Sequence, residues 1–333
     1  MTPIVSVVIP NYNYARYLDE RINSILNQTF SDFEIILLDD ASTDNSIEII
    51  DKYKNNPLVS HCIVNKENSG YVFHQWEKGI NLARGKYIWI AESDDLATLD
   101  FLEKTVGALE RHPEANLCFC GSYLIDNTGG HNISQPDFDK RMLPDFDSAC
   151  NAYLLESRFF INHYTVWTNT IYNASGALFR KDALNQDCFR SIESFRYCGD
   201  WLFWKNIINS SKVIILKDKL NRFRLHNRSA TAKAFYGGET AIETFKVLLD
   251  ILPEVNLPRQ LICFGTVHRN CRRTFKKAVV KSFNQYYFKH LGIFKGICAI
   301  ILERINKALL HIVPFTISQN KDIHIKPGTP YEV

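Results

Sequence analysis

The chain has 333 residues, 46% of them hydrophobic and 23% charged, with a formal net charge of +3. High apolar content with low net charge excludes disorder as the main state, and 15 Gly and 11 Pro exclude a collagen-like or low-complexity chain. The charge is a sum of unlike parts: residues 232–333 carry fifteen Lys/Arg against seven Asp/Glu, a balance of +8, while the first 231 residues balance at −5.

The run from Val5 to Ile9 predicts a buried strand that Pro10 and Asn11 end. From Ala15 to Gln28, Leu18, Ile22, Ile25 and Leu26 recur at helical spacing. Glu34 to Leu38 predicts a second strand, ended by Asp39 and Asp40, after which Ser42, Thr43 and Asp44 are N-cap candidates for a helix from Asn45 to Tyr53. A third strand is expected from His61 to Val64, a helix from Val72 to Ala83 stopped by Arg84-Gly85, and a fourth strand from Lys86 to Ala91. Glu92, Ser93, Asp94 and Asp95 follow it. Strand and helix therefore alternate, the pattern of an α/β domain with a mainly parallel sheet. In such sheets ligands bind beyond the carboxyl ends of the strands. Three polar clusters, Asn11-Tyr12-Asn13, Asp39-Asp40 and Asp94-Asp95, are accordingly expected on one rim.

Further along, a helix is expected from Leu102 to Leu109 and a strand from Leu117 to Gly121. Residues 126–150 are polar and irregular, a length of loop that in a compact domain is usually functional or mobile. A strand from Ser175 to Phe179, a helix from Asp200 to Ile208, and two closing strands (Val213 to Leu216, Asn221 to Leu225) complete a body of residues 1–231. The nine cysteines are scattered and form no CxxC pair, so neither a zinc knuckle nor a thioredoxin-like centre is indicated. Buried reduced thiols are expected, with Cys118 and Cys120 on one strand face. The first residues lack the charged region of a signal peptide, and no stretch reaches about 18 uncharged apolar residues, so a cytoplasmic protein is expected.

Asp94 and Asp95 at a strand end repel each other unless a cation or hydrogen-bond donors offset their charge. Such hard oxygen ligands suit Mg²⁺ or Mn²⁺; a solvated turn is the plainer reading, and the parallel position of Asp39-Asp40 favours the cation. Asp200 opens an aromatic helix in Cys198-Gly-Asp-Trp-Leu-Phe-Trp204, either as a cap or as a partly desolvated general base. His226 is flanked by Arg222, Arg224 and Arg228, whose guanidinium groups suit phosphate oxygens.

Seven segments in order carry a resemblance. They are Ser6 to Asn13 (SVVIPNYN), Ser24 to Phe30 (SILNQTF), Phe33 to Asp44 (FEIILLDDASTD), Asn81 to Ile88 (NLARGKYI), Ser93-Asp-Asp95, Gly199-Asp-Trp201, and Arg224 to Ser229 (RLHNRS). Over about residues 4–231 the sequence resembles the family 2 inverting glycosyltransferases of GT-A fold, in a non-processive bacterial form. The resemblance implies that Pro10, Tyr12 and Asp40 hold a nucleotide base, with Asp40 accepting the N3–H of uracil or thymine. It implies that Asp94 and Asp95 are the metal motif, Asp95 binding the divalent ion on the diphosphate and Asp94 the ribose or donor sugar. Asp200 matches the catalytic base and His226 a diphosphate-side residue. The implied activity is inverting transfer of one sugar from a nucleoside-diphosphate sugar, of UDP type, to a hydroxyl of a glycan or lipid-linked acceptor. Three departures stand out. The motif begins with Glu92 rather than Asp, Asn68 to Trp76 offers His74 but no Arg, and the Gln-x-x-Arg-Trp motif of processive synthases is absent after Asp200. A nucleotidyltransferase would carry a Gly-rich basic loop where Pro10-Asn-Tyr-Asn13 stands. A non-catalytic scaffold would have little use for Asp40, Asp94, Asp95 and Asp200 together.

The basic excess is densest from Arg259 to Lys307, where Glu303 is the only acid. Apolar stretches lie at Leu291 to Leu302, interrupted by Lys295, and at Leu309 to Ile317. Together they predict that 232–333 is an extension of basic amphipathic helices. Residues 259–317 would pack on the body, pair subunits, or dock on an anionic membrane surface; no recognised nucleic-acid module is present.

Overall fold

A computed structural model describes residues 2–129, 133–134, 145–226 and 239–309. The first elements alternate as expected: β1 (Val5–Asn11), α1 (Ala15–Leu26), β2 (Phe33–Asp39), α2 (Ser46–Tyr53), β3 (Val59–Val64), α3 (Val72–Leu82) and β4 (Tyr87–Ile90). They are followed by β5 (Leu96–Ala97), α4 (Phe101–Arg111), β6 (Ala115–Ile125), β7 (Ile133–Ser134), β8 (Asp145–Asp147), β9 (Ala152–Glu156) and α5 (Ser157–Phe160). Next come β10 (Ala177–Arg180), α6 (Asp187–Arg190), α7 (Gly199–Ile208) and β11 (Lys212–Arg224). The last helices are α8 (Glu239–Ile251), α9 (Leu257–Thr274), α10 (Lys277–Leu291) and α11 (Ile293–Leu309).

The described strands form one sheet in the order β3-β2-β1-β4-β10-β6-β11-β9-β8, with β5 on β11 and β7 on β6. Strands β3, β2, β1 and β4 run parallel, and β10 enters antiparallel between β4 and β6. Every residue of β1, β2 and β4 is buried. Such buried runs without alternation, apolar except for Ser6, Asn11, Glu34 and Asp39, mark strands covered on both faces. Leu18, Ile22 and Ile25 of α1 press on one face, joined by Trp89, Phe101 and Leu102 in the same core. Parallel register (Val8 opposite Ile36 and Ile90) brings the ends of β1, β2 and β4 level, so Asn11, Asp39 and the loop after Ile90 share the carboxyl edge.

The two closing strands expected at 213–216 and 221–225 are one strand, β11. Its register against β6 slips between Leu216 and Lys219 and again before Asn221, so a polar irregularity interrupts the apolar pattern without ending the strand. Strand β9 went unforeseen: Ala152-Tyr-Leu-Leu-Glu156 has no β-branched residue and gains its strand character from pairing with β11. Cys118 and Cys120 are buried on β6, as their spacing predicts; all nine cysteines are free thiols, but Cys62 is exposed and Cys150, Cys198 and Cys298 are only partly buried, so the expected burial holds for five of them.

The chain divides into two compact units. One comprises Met1–Arg158, Ile171–Arg190 and Phe203–Leu225 and contains the whole sheet. The other comprises Phe159–Thr170, Ser191–Leu202 and His226–Val333. The boundary expected at 231, much of the 126–150 loop, Arg228 and the apolar stretch beyond Leu309 lie outside the described residues.

Candidate active site

At the rim of the sheet unit, Asp39 is fully buried at the end of β2. Its carboxylate accepts from Asn11 Nδ2 (2.7 Å), from Ser42 N (2.8 Å) and from Ser42 Oγ (2.6 Å). Asn13, in the left-handed region at φ 59°, accepts from Thr43 N (2.7 Å) and so ties the loop after β1 to the loop after β2. Asp40 is also buried. It accepts from Asn65 Nδ2 (2.7 Å), Ser69 Oγ (2.7 Å), Ser69 N (3.0 Å) and Gln75 Nε2 (2.9 Å). In this structure its carboxylate thus organises residues 65–75, and a base N3–H would have to take the place of one of these donors. Pro10 is buried and its carbonyl accepts from Ser93 Oγ (2.7 Å), whereas Tyr12 stands 44% exposed on the rim.

The loop after β4 carries the negative charge. Asp95 is buried; its Oδ2 accepts from Asn173 Nδ2 and Ser175 Oγ (2.7 Å each) and its Oδ1 from Arg224 N (3.0 Å). Among the described residues Arg224 N is the donor to Oδ1, and a carboxylate oxygen can accept a second ligand. Burial and then the charge of Asp94 push the Glu92 carboxyl up to about 8, although Trp76 Nε1 donates to it at 2.9 Å. Asp95 moves in the same direction for the same two causes. Partly buried Asp94 completes a set of hard oxygen donors whose joint ionisation the site resists. A divalent cation fits that set, because it would offset the repulsion.

Two arginines support this loop from within. Arg224 does not present its guanidinium to a phosphate, as its place beside His226 led us to expect. It is 1% exposed and donates to Asp94 O (2.8 Å), Asp126 O (2.9 Å) and Glu20 Oε2 (3.0 Å), with its plane over the Tyr17 ring. Arg21 is wholly buried over Trp89, and its guanidinium nitrogens have no hydrogen-bond partner among the described residues. Burial lowers its pKa to about 10, so it remains a cation beneath Asp95, Glu92 and Asp94.

Asp200 belongs to the second unit, at the first turn of α7. Its Oδ2 accepts from Asn169 Nδ2 (2.7 Å) and its Oδ1 from Trp201 N (2.9 Å), and burial raises its pKa to about 7. The backbone leading into it is clamped: Arg196 N, Tyr197 N and Cys198 N all donate to the Glu243 carboxylate of α8, at 2.8 Å each. His226 is buried at the end of the described stretch and belongs to the same unit.

A family model for "Glycosyl transferase family 2" matches residues 6–187. The chain belongs to glycosyltransferase family 2. It is therefore an enzyme that transfers sugars. An uncharacterized glycosyltransferase of Methanocaldococcus jannaschii is 32% identical over 230 residues, covering 68% of this chain and 72% of that one. The poly(ribitol-phosphate) β-N-acetylglucosaminyltransferase TarS of Staphylococcus aureus is 27% identical over 219 residues, 64% of this chain and 34% of TarS. In fold, the chain matches crystal structures of TarS residues 1–349, one of them in complex with UDP-GlcNAc. The TM-score for that complex is 0.57 at 18% identity, with 91% of each chain covered. The mixed sheet flanked by helices, with a helical C-terminal region, is thus the GT-A architecture of family 2.

Among the described residues, sequence reasoning on this family 2 chain missed Asn173, Ser175, Trp76, Arg21 and Glu243. Each acts on an acidic residue from a distant segment, and no local pattern announces such a partner. It missed one further grouping, in which ligand atoms of His112, Asp147 and Cys150 lie within 4.8 Å of one another. There Arg111 Nε (2.5 Å) and His112 Nε2 (2.9 Å) both meet Asp147 Oδ2, so the pairing already ties α4 to β8 without an ion.

Proposed function

We propose that this enzyme transfers a single sugar, with inversion, from a nucleoside-diphosphate sugar of UDP type to a hydroxyl of a glycan or lipid-linked acceptor. Asp200 is the general base. The observation that carries the reading is the Asp200 carboxylate at the first turn of α7, fixed by Asn169 Nδ2 and Trp201 N and pushed by burial up to about 7, which suits a base at neutral pH. A relative named for transfer of N-acetylglucosamine to poly(ribitol phosphate), and its complex with UDP-GlcNAc, support the donor class and a polymeric acceptor.

In this reading Asn169 and Trp201 N hold the carboxylate in one orientation, so that the acceptor hydroxyl meets a fixed oxygen. Asp200 takes the hydroxyl proton as the oxygen attacks the anomeric carbon, and the nucleoside diphosphate leaves from the opposite face. Tyr12 offers its exposed ring to the base, with Pro10 beneath and Asp40 as the N3–H acceptor after a donor exchange. Asp94 and Asp95 would hold a divalent ion, Mg²⁺ or Mn²⁺, which supplies positive charge against the leaving diphosphate. Asn173, Ser175 and Arg224 keep Asp95 in place for it. Burial and the charge of Asp94 favour the protonated form of Glu92, which limits the charge of the loop before a cation enters. His226 is assigned to the diphosphate side.

A screen of nucleotide sugars for nucleoside diphosphate release, with Mn²⁺ and with chelator, tests the donor and metal assignments. Release that is indifferent to chelation would remove the metal from the reading. Asp200→Asn is expected to bind donor as the parent does and to lose transfer by a factor of about 10²–10⁴. Retained turnover in that variant would remove the base.

A further inference from the structure

We propose that the last three helices form a docking surface for an anionic lipid bilayer. Helix α11 is buried on one side only: Ala299 and Glu303 face α9, where a Cβ on Gly265 would come within 2.3 Å of Ala299 O. At 100° per residue, Phe294, Ile297, Ile301 and Ile305 fall on the opposite side in one row. They are 83%, 46%, 50% and 48% exposed, an apolar stripe running the length of the helix. Arg304 and Lys307 stand exposed on the same helix. On α9 and α10, Arg272, Lys277 and Lys281 line a cleft of about 620 Å³ together with Phe275, Val280 and Phe288.

Charge decides the occupant. Within 257–309 the only carboxylate is Glu303, which is buried and spent on Arg269, so these helices show solvent cations and no exposed acid. A second copy packed by two-fold symmetry would set those cations against their own kind. An anionic bilayer supplies both what the stripe needs and what the cations need: acyl chains at shallow depth and phosphate headgroups beside them. Among the described residues no helix is long and apolar enough to cross a membrane, so the contact is with the surface of the bilayer.

The test is flotation of the full chain with vesicles of phosphatidylcholine, with and without phosphatidylglycerol. Binding only in the presence of phosphatidylglycerol is expected. The double variant Ile297→Asp/Ile301→Asp, at exposed positions, should reduce bound protein at least about tenfold with an unchanged melting temperature. Lys277→Glu/Lys281→Glu, on another helix, should weaken binding independently. Failure of the parent to float, equal flotation on both vesicles, or undiminished flotation of both variants would overturn the proposal. So would a dimer in solution that Ile297→Asp/Ile301→Asp converts to monomer, because the occupant would then be a second copy. Flotation requires no turnover, so its outcome is independent of the sugar-transfer assignment.

Discussion

Asp200 has a pKa near 7 because burial outweighs the two hydrogen bonds that favour its charged form. A base works only when deprotonated, so turnover should rise with pH through about 7 and level off above it. That limb should be absent from whatever residual rate Asp200→Asn retains; a pH profile of kcat for both proteins checks it. Arg224 makes a second residue-scale prediction. Its planar fork reaches three acceptors at once, which an ammonium group cannot copy. Arg224→Lys should therefore raise the Mn²⁺ concentration for half-maximal donor hydrolysis about tenfold, while leaving the pH limb in place. The acidic residues were legible in the sequence because each follows an apolar strand or opens a helix. Their partners were not. Ser175 reads locally as the start of a strand and Asn173 as loop, and only the sheet brings both to Asp95.

At the scale of elements, the alternation from β1 to β4 was legible because β1, β2 and β4 are mostly apolar runs and each helix shows one apolar face. The Asn81 to Ile88 segment, part of the family resemblance, serves architecture rather than chemistry. Ser6 Oγ donates to Glu34 and accepts from Arg84 N and Gly85 N, at the edge of β1 and β2 opposite the rim. A Cβ on Gly85 would lie 2.6 Å from Ser6 N, a backbone atom that cannot move aside. Gly85→Ala should cost about 1–3 kcal/mol or more in denaturant unfolding without changing the Asp200 pH limb. Glu243 acts between elements. Its negative charge raises the Asp200 pKa, and its oxygens fix the backbone before α7. Glu243→Gln removes the charge, so the pH limb of turnover should move to lower pH; an unmoved limb would show that only packing links the two. Nothing in α8's own sequence distinguishes this Glu from a solvated one.

For the whole molecule, the split of −5 and +8 was visible by counting, and the two units differ accordingly: one holds the largely buried carboxylates of the rim, the other exposed cations on its last helices. What counting missed is that segments 159–170 and 191–202 leave the sheet unit to join the C-terminal helices. The chain order hides this, since both segments lie between elements of the sheet. A chain ended at residue 231 should thus keep the sheet, read by circular dichroism, yet lose transfer, because Asp200 would lack the Glu243 clamp.

The same clamp bears on how such chains can diverge. Recombination between relatives that joined one parent's residues 1–231 to another's helices would pair a loop and an acid selected in different backgrounds. Crossover points that keep 191–202 and 239–251 from one parent leave the base intact. The helices from residue 257 onward, which carry the proposed docking surface, could then come from the other parent without touching that clamp.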